Sequence, residues 1–385
     1  MNSKNNKALA WLGASHFILD SYSGFLTPIL PFIAAKINIS MTIAALMISV
    51  SNLTSSISQP LFGFVADKIK KRFFIFWGII FASTFLSLVG IATNPYMLAI
   101  FIILGSMGVS FYHPQGTSFV AFFSLDKDAN KNMGFYIAMG TLGFSIAPLI
   151  SSGITDIFGL EKLPFASVVG IITALAMFLF VPKLSLYELS SNDSSFLKAF
   201  KDIIKNKDMV ILIMISVLKS LVVSSFTLTL PFLWKQNGFR PSQIGMILFV
   251  FLVFGAAGTY MSAFIENRFG IKKVFYLSMM SVFPLAIIFY NLHNTHFLYA
   301  LIAFVLIGFV SFLSVPVNMV MAQKIMPQYN SMISGFIGGF SWGIVGLMLP
   351  LISLIAQKFG ILNVLLFISI IPLVFSRFVK YLPEH

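Results

Sequence analysis

The chain has 385 residues, of which 58% are hydrophobic and only 10% charged, and its mean hydropathy is +0.94. A soluble domain is about half apolar and about a quarter charged, so these values exclude an ordinary soluble fold and indicate a membrane protein. The formal charge of +13 arises from 25 Lys and Arg against 12 Asp and Glu, and the absence of cysteine excludes disulfides and thiol chemistry.

A helix that crosses the hydrocarbon needs about 20 mainly apolar residues, because each backbone N–H and C=O must be satisfied within the segment. Twelve such runs occur, at 8–34, 41–66, 73–93, 96–123, 133–155, 164–181, 209–233, 242–265, 274–291, 297–322, 331–356 and 361–379. The short alternating segments of a membrane barrel do not. The first run follows Lys4 and Lys7 but is too long for a signal peptide and has no small-residue cleavage site, so it is a span.

Within that span, "SHFILDSYSGF" places His16 and Asp20 four residues apart, on one helix face. Ionisable groups at membrane depth normally face a bundle interior or a watery cavity. An imidazole titrates near neutrality, so the pair can exchange protons with water when such a cavity opens. The plainer alternative is that Asp20 accepts hydrogen bonds from Ser or Tyr and only fixes helix packing.

After the second run comes the loop stretch "GFVADKIKKR", from Gly63 to Arg72. In the fourth run His113 precedes Pro114, with Tyr112 and Gln115 beside them. The proline bends the helix and frees a carbonyl next to a titratable ring, which suits a binding site. The fifth run carries Gly134, Gly140, Gly143 and Gly153, and the eleventh Gly335, Gly338, Gly339, Gly343 and Gly346. Such glycines allow helices to approach closely, whether for sliding or for packing alone.

The longest polar stretch, 182–208, divides the runs six and six. Its segment "SFLKAFKDIIKNK" puts Phe196, Leu197, Phe200, Ile203 and Ile204 on one helical stripe ringed by Lys198, Lys201 and Lys205. That pattern suits a helix lying in the membrane interface, or else a solvated linker helix. The expected domains are residues 1–182, a linker at 183–207, and 208–385.

Lys219 lies deep in the seventh run. It can pair with Asp20, bind an anion in a cavity, or extend its stem toward the interface. His293 and His296 fall in a short loop without a ligand pattern and are expected to be solvated.

The two halves read as copies. "LPF" at 30–32 recurs at 230–232, "ADKIKKR" from Ala66 corresponds to "ENRFGIKK" from Glu266, and Pro148 corresponds to Pro350. Six spans per half give both copies the same orientation, an arrangement found in transporters with a site between parallel repeats. With a cytoplasmic N-terminus, 19 Lys and Arg fall inside and 5 outside. The positive-inside rule then puts both termini in the cytoplasm of a multi-pass protein of the inner cell membrane. Anionic lipid accounts for the net charge without nucleic acid.

"GFVADKIKKR" resembles the loop motif of the major facilitator superfamily between its second and third spans. Gly63, Asp67, Lys68, Lys71 and Arg72 fit it, while Lys70 stands where the motif has glycine. "HFILDSYSGF", "SISQPLFGFVADK", "GVSFYHPQG" and "GTLGFSIAPL" together resemble the fosmidomycin-resistance branch, whose fourth span carries Phe-His-Pro-Glu. Gln115 replaces that glutamate with an amide that cannot exchange a proton, and Ala147 precedes Pro148 where the antiporter motif has glycine.

The resemblance implies an all-α membrane protein of twelve transmembrane helices in two six-helix parallel repeats, the major facilitator fold. It implies a cytoplasmic latch at Gly63, Asp67, Lys68, Lys71 and Arg72. The expected activity is proton-coupled export of a small amphiphilic or anionic compound, as in drug efflux. Uptake of a sugar or organic acid, or a transporter-like receptor, is the alternative. Proton coupling is expected at Asp20, His16 and His113, and substrate binding at Gln115, Lys219 and Tyr112. The expected partners are a small-molecule substrate, protons and membrane lipid, for a monomer. Nucleotide, zinc-protease and thiolate-metal patterns are missing, so no cofactor and no enzyme activity is expected.

Overall fold

A computed structural model describes residues 3–69, 73–123, 129–180, 196–326, 333 and 336–383. Every regular element among the described residues is a helix. Eleven stretches are long and apolar enough to cross a membrane: Lys7–Lys36, Phe74–Ile91, Pro95–Thr117, Phe135–Phe158, Leu160–Phe180, Lys207–Gln236, Pro241–Ser262, Ile271–Leu292, Phe297–Ala322, Ser341–Phe359 and Ile361–Tyr381. The second expected span falls in the 29-residue helix Met41–Ile69. Counted with it, the helices follow the twelve-span order read from hydropathy, and they are called here the first to twelfth spans.

The repeat is visible in the backbone. Asn38 and Gly238, 200 residues apart, both turn with positive φ, 54° and 84°. Each turn is closed by the same pattern, Ile39 N–H to Ala34 O and Phe239 N–H to Trp234 O, both 2.9 Å. Gly159 and Gly360 make a second such pair, with φ of 87° and 89°. A left-handed residue ending a helix satisfies its last carbonyls and lets the chain reverse.

Burial separates inner from outer helices. The first and seventh spans are 67% buried, whereas the sixth is 22% buried and presents apolar side chains such as Ile172 and Leu179 outward. A lipid-facing helix needs no polar cover, and only the inner helices can hold charged groups at membrane depth.

Contacts divide the chain into two compact units, Met1–Ser190 with Trp234–Phe249, and Ser191–Leu233 with Val250–His385. In the first unit the opening span is interrupted at Gly24 and Phe25, between helices Ser3–Ser23 and Leu26–Lys36, the second of which contains Pro31. In the second unit the ninth span bends at Ser281 and the tenth at Ser314, just ahead of Pro284 and Pro316. A proline ring pushes away the carbonyl four residues earlier. Phe312 O, displaced by Pro316, is met by Thr259 Oγ1 at 3.5 Å.

Two expectations change. The amphipathic segment is a helix, Phe196–Lys205, but Ile203 is fully buried and Phe200 packs beside it against the core of the second unit, with its ring 5.5 Å from that of Phe336. Of the described stripe residues Ile203 and Phe200 meet protein and Ile204 stays exposed. His293 is not solvated. It is 4% exposed, edge-on to Phe289 and Phe297, with Nδ1 3.0 Å from Asn294 Oδ1. The corner closes over its ring, while His296 is exposed as expected.

Candidate functional site

Two helices of the first unit bring His16, Asp20 and His113 together. Helix Ser3–Ser23 carries His16 and Asp20 one turn apart, and helix Pro95–Phe123 supplies His113. His16 Nε2 lies 3.2 Å from Asp20 Oδ2, and His113 Nε2 lies 3.4 Å from Asp20 Oδ1. Each carboxylate oxygen therefore faces an imidazole. Asp20 has neither Ser nor Tyr as a partner among the described residues, which leaves the packing-only alternative without its expected contacts.

The fifth helix, Ala129–Phe158, orients His16. A carbonyl only accepts, so the 2.8 Å contact between His16 Nδ1 and Tyr136 O places the ring hydrogen on Nδ1. Nε2 is then the ring position free to gain or lose a proton, and it is buried with no aligned hydrogen bond, in charge contact with Asp20. The Tyr136 ring stacks on His16 at 4.0 Å, and the His113 ring stands edge-on to it at 5.2 Å. One titratable atom from each of His16, Asp20 and His113 lies within 4.8 Å of the others, so a proton on any one is felt by all three.

Glycine lets the fifth helix come this close. A Cβ on Gly140 would stand 2.4 Å from His16 Cε1 and 2.7 Å from Asp20 Oδ2. A Cβ on Gly143 would stand 2.1 Å from Phe17 O. Gly153 has nothing within 4 Å of such an atom, so the fifth-span glycines are not equivalent. Tyr136 and Gly140 were not singled out from sequence as neighbours of His16 and Asp20. Their spacing to His16 is long, and only the i, i+4 pattern within the first span was visible.

Tyr112 and Gln115 flank the triad inside helix packing. Tyr112 is fully buried, its hydroxyl 2.6 Å from Ser15 Oγ, and both hydroxyls reach Leu12 O, at 3.1 and 2.9 Å. Gln115, 2% exposed, accepts the Ile75 N–H at 2.9 Å. Ile75 lies in helix Phe73–Leu88, so this bond ties the fourth span to the third. Gln115→Ala should remove this buried bond and cost about 1–3 kcal/mol. A lowered apparent melting temperature of the purified protein would register that cost, and an unchanged one would deny the bond any weight.

Lys219 belongs to the second unit. Its Nζ sits 5.2 Å from the ring centre of Phe312 and 5.3 Å from that of Trp342. Gly63, Asp67 and Lys68 fall on helix Met41–Ile69, but the latch contacts lie outside the described residues, as do Lys71 and Arg72.

The chain matches the family model of the Major Facilitator Superfamily over residues 12–350. It is 23% identical over 390 residues to the fosmidomycin resistance protein of Escherichia coli (strain K12), covering 98% of this chain and 93% of that protein. It is 29% identical over 162 residues to multidrug resistance protein 1 of Bacillus subtilis (strain 168), covering 42% of this chain and 41% of that protein. The crystal structure of the nucleoside transporter NupG superposes with a TM-score of 0.78 at 16% identity, covering 100% of both chains. With hydropathy, repeat and fold in agreement with a family model that spans most of its length, this chain belongs to the Major Facilitator Superfamily and is a membrane transport protein, not an enzyme.

Proposed function

We propose that the chain is a proton-coupled exporter of a small amphiphilic or anionic compound, working by alternating access in the inner cell membrane with both termini cytoplasmic. The observation that carries this reading is Asp20 held between the Nε2 atoms of His16 and His113. A carboxylate so placed can take a proton in one conformation and release it in the other, because each imidazole offers a second position for the same proton. The fosmidomycin and multidrug resistance relatives support export as the direction.

Within this reading Asp20, His16 and His113 carry the proton and Lys219 meets the substrate. Gln115 and Tyr112, next to His113, hold the fourth helix in register so that its ring faces Asp20. Small-molecule substrate, protons and lipid suffice as partners for a monomer. In everted vesicles bearing an imposed pH gradient, a transported compound should collapse the gradient as it accumulates. Uptake by symport would use the same proton site with compound and protons moving together, and the sign of the coupled proton flux separates the two. Compound movement with no proton flux of either sign would overturn proton coupling.

We further assign Asp67, with Gly63, Lys68, Lys71 and Arg72, to a cytoplasmic latch that biases the two access states. Asp67→Asn should then slow turnover about tenfold while leaving equilibrium substrate binding unchanged, because it acts on the balance of states and not on the site. Lost binding with normal turnover would refute the latch.

A further inference from the structure

We propose that Lys219, with Phe312, Trp342 and Ser311, docks the negatively charged group of the transported compound, so that this transporter carries organic anions. The inference rests on the exporter reading and narrows its substrate class. It draws only on residues of the second unit.

Lys219 stands twelve residues into the seventh span, ~18 Å along the helix from Lys207, too far for its stem to bring the ammonium to the interface. A cation at that depth normally has a carboxylate opposite it. Among the described residues Lys219 takes part in no ion pair, and what flanks its Nζ is the pair of rings, Phe312 and Trp342. Ring faces attract an ammonium and fix its position, but they carry no net charge. Among the described residues no acidic group answers the ammonium.

The surroundings of the ammonium combine hydroxyls with apolar side chains. Lys219 lines a narrow cavity with Ser278, Ser311 and Ser314, together with apolar residues such as Met279 and Pro372. Ser278 and Ser314 bond each other at 3.0 Å across the bends of the ninth and tenth spans. Ser311 Oγ is different, because it is buried and has no partner. Among the described residues, an ammonium without a counter-charge and a hydroxyl without a partner line one cavity. A carboxylate or similar monoanionic group satisfies both at once, while a cationic compound would be repelled by the first and would leave the second unmet.

Pro284 and Pro316 deflect the ninth and tenth spans next to Ser281 and Ser314, and the stretch Phe336–Phe340, just before Trp342, is a π-helix. Interrupted helices around one buried charge are a recurring feature of transporter binding sites and of functional positions generally.

Trp342 is an optical reporter of this site. The test uses the purified full-length chain with no gradient imposed, comparing wild type, Lys219→Met and Trp342→Phe. Quenching of tryptophan fluorescence is read with iodide (anionic), caesium (cationic) and acrylamide (neutral). The expected result is a saturable iodide component in wild type that is absent in Trp342→Phe and weakened about tenfold or more in Lys219→Met. Caesium and acrylamide should quench wild type and Lys219→Met alike. Benzoate should displace iodide, and benzamide should not. Equal iodide quenching of wild type and Lys219→Met would overturn the proposal, as would iodide saturation that benzoate leaves untouched, since the site would then take inorganic ions only. Should Lys219→Met fail to fold, benzoate protection against iodide in wild type still decides the question. Anion binding without proton flux would sink the coupling and leave this site standing, and proton-coupled transport without anion binding would do the reverse.

Discussion

Asp20→Asn should lower pH-gradient-driven transport about a hundredfold or more while exchange of the compound down its own gradient persists. The amide matches the carboxylate in shape, so packing around helix Ser3–Ser23 is preserved and the change is confined to chemistry. The amide binds no proton in the physiological range. His16 Nε2 and His113 Nε2, now 3.2 and 3.4 Å from carboxylate oxygens, would face a neutral group, and the cluster would lose its only acid. Conformational cycling does not need that acid, so exchange continues. Proteoliposomes with and without an imposed gradient measure both quantities in one preparation. Uphill transport by the Asn variant would move the coupling site elsewhere in the chain.

Gly143→Ala should destabilise the first unit strongly for a single added methyl group. The added Cβ would sit 2.1 Å from Phe17 O and 2.8 Å from Phe17 C, which are backbone atoms that no rotamer change can move aside. Either the fifth helix shifts from the first or the first helix distorts next to His16. Overpacking of this kind costs about 1–3 kcal/mol and sometimes more. The apparent melting temperature in detergent should fall clearly, and gradient-driven transport should fall with it because Phe17 adjoins His16. Gly153→Ala is the control. Its Cβ meets nothing within 4 Å, and Ala is the better helix former by about 1 kcal/mol, so that variant should be neutral or slightly more stable. Equal stability of the two variants would mean that close approach at Gly143 is unimportant.

Hydropathy made the spans legible because lipid imposes one rule on every crossing segment, and the 200-residue spacing of "LPF" made the repeat legible for the same reason. The triad was partly legible. His16 and Asp20 share a face by helical periodicity, and His113 was marked by the adjacent Pro114. What periodicity cannot show is the partner supplied by another helix. The Tyr136 carbonyl that fixes the His16 tautomer is 120 residues away from it, and the Ile75 N–H that Gln115 accepts is 40 residues away. Gln115 was expected at the substrate as a donor and acceptor beside His113, and its acceptance of the Ile75 N–H was not readable from sequence. Lys219 was visible as a buried charge, while its ring neighbours Phe312 and Trp342 were two among many aromatics. His293 looked solvated because its loop is short and polar, and the burial came from Phe289 and Phe297 closing over it.

The matched left-handed corners at Asn38 and Gly238 bear on how the chain came to divide its labour. A corner is a property of φ, so it survives while the residue filling it changes from Asn to Gly. Counted from that shared corner, Ser216 and Ser220 stand where the first copy has His16 and Asp20. Ser216 has turned to a purely internal task, receiving Asn318 Nδ2 at 2.7 Å. Duplication of a helical half preserves the scaffold that directs the chain and leaves the interior of one copy at liberty. The acid and its imidazoles then occur in one copy, and the second copy carries a lysine one position from the matching serine without giving up the fold that both copies share.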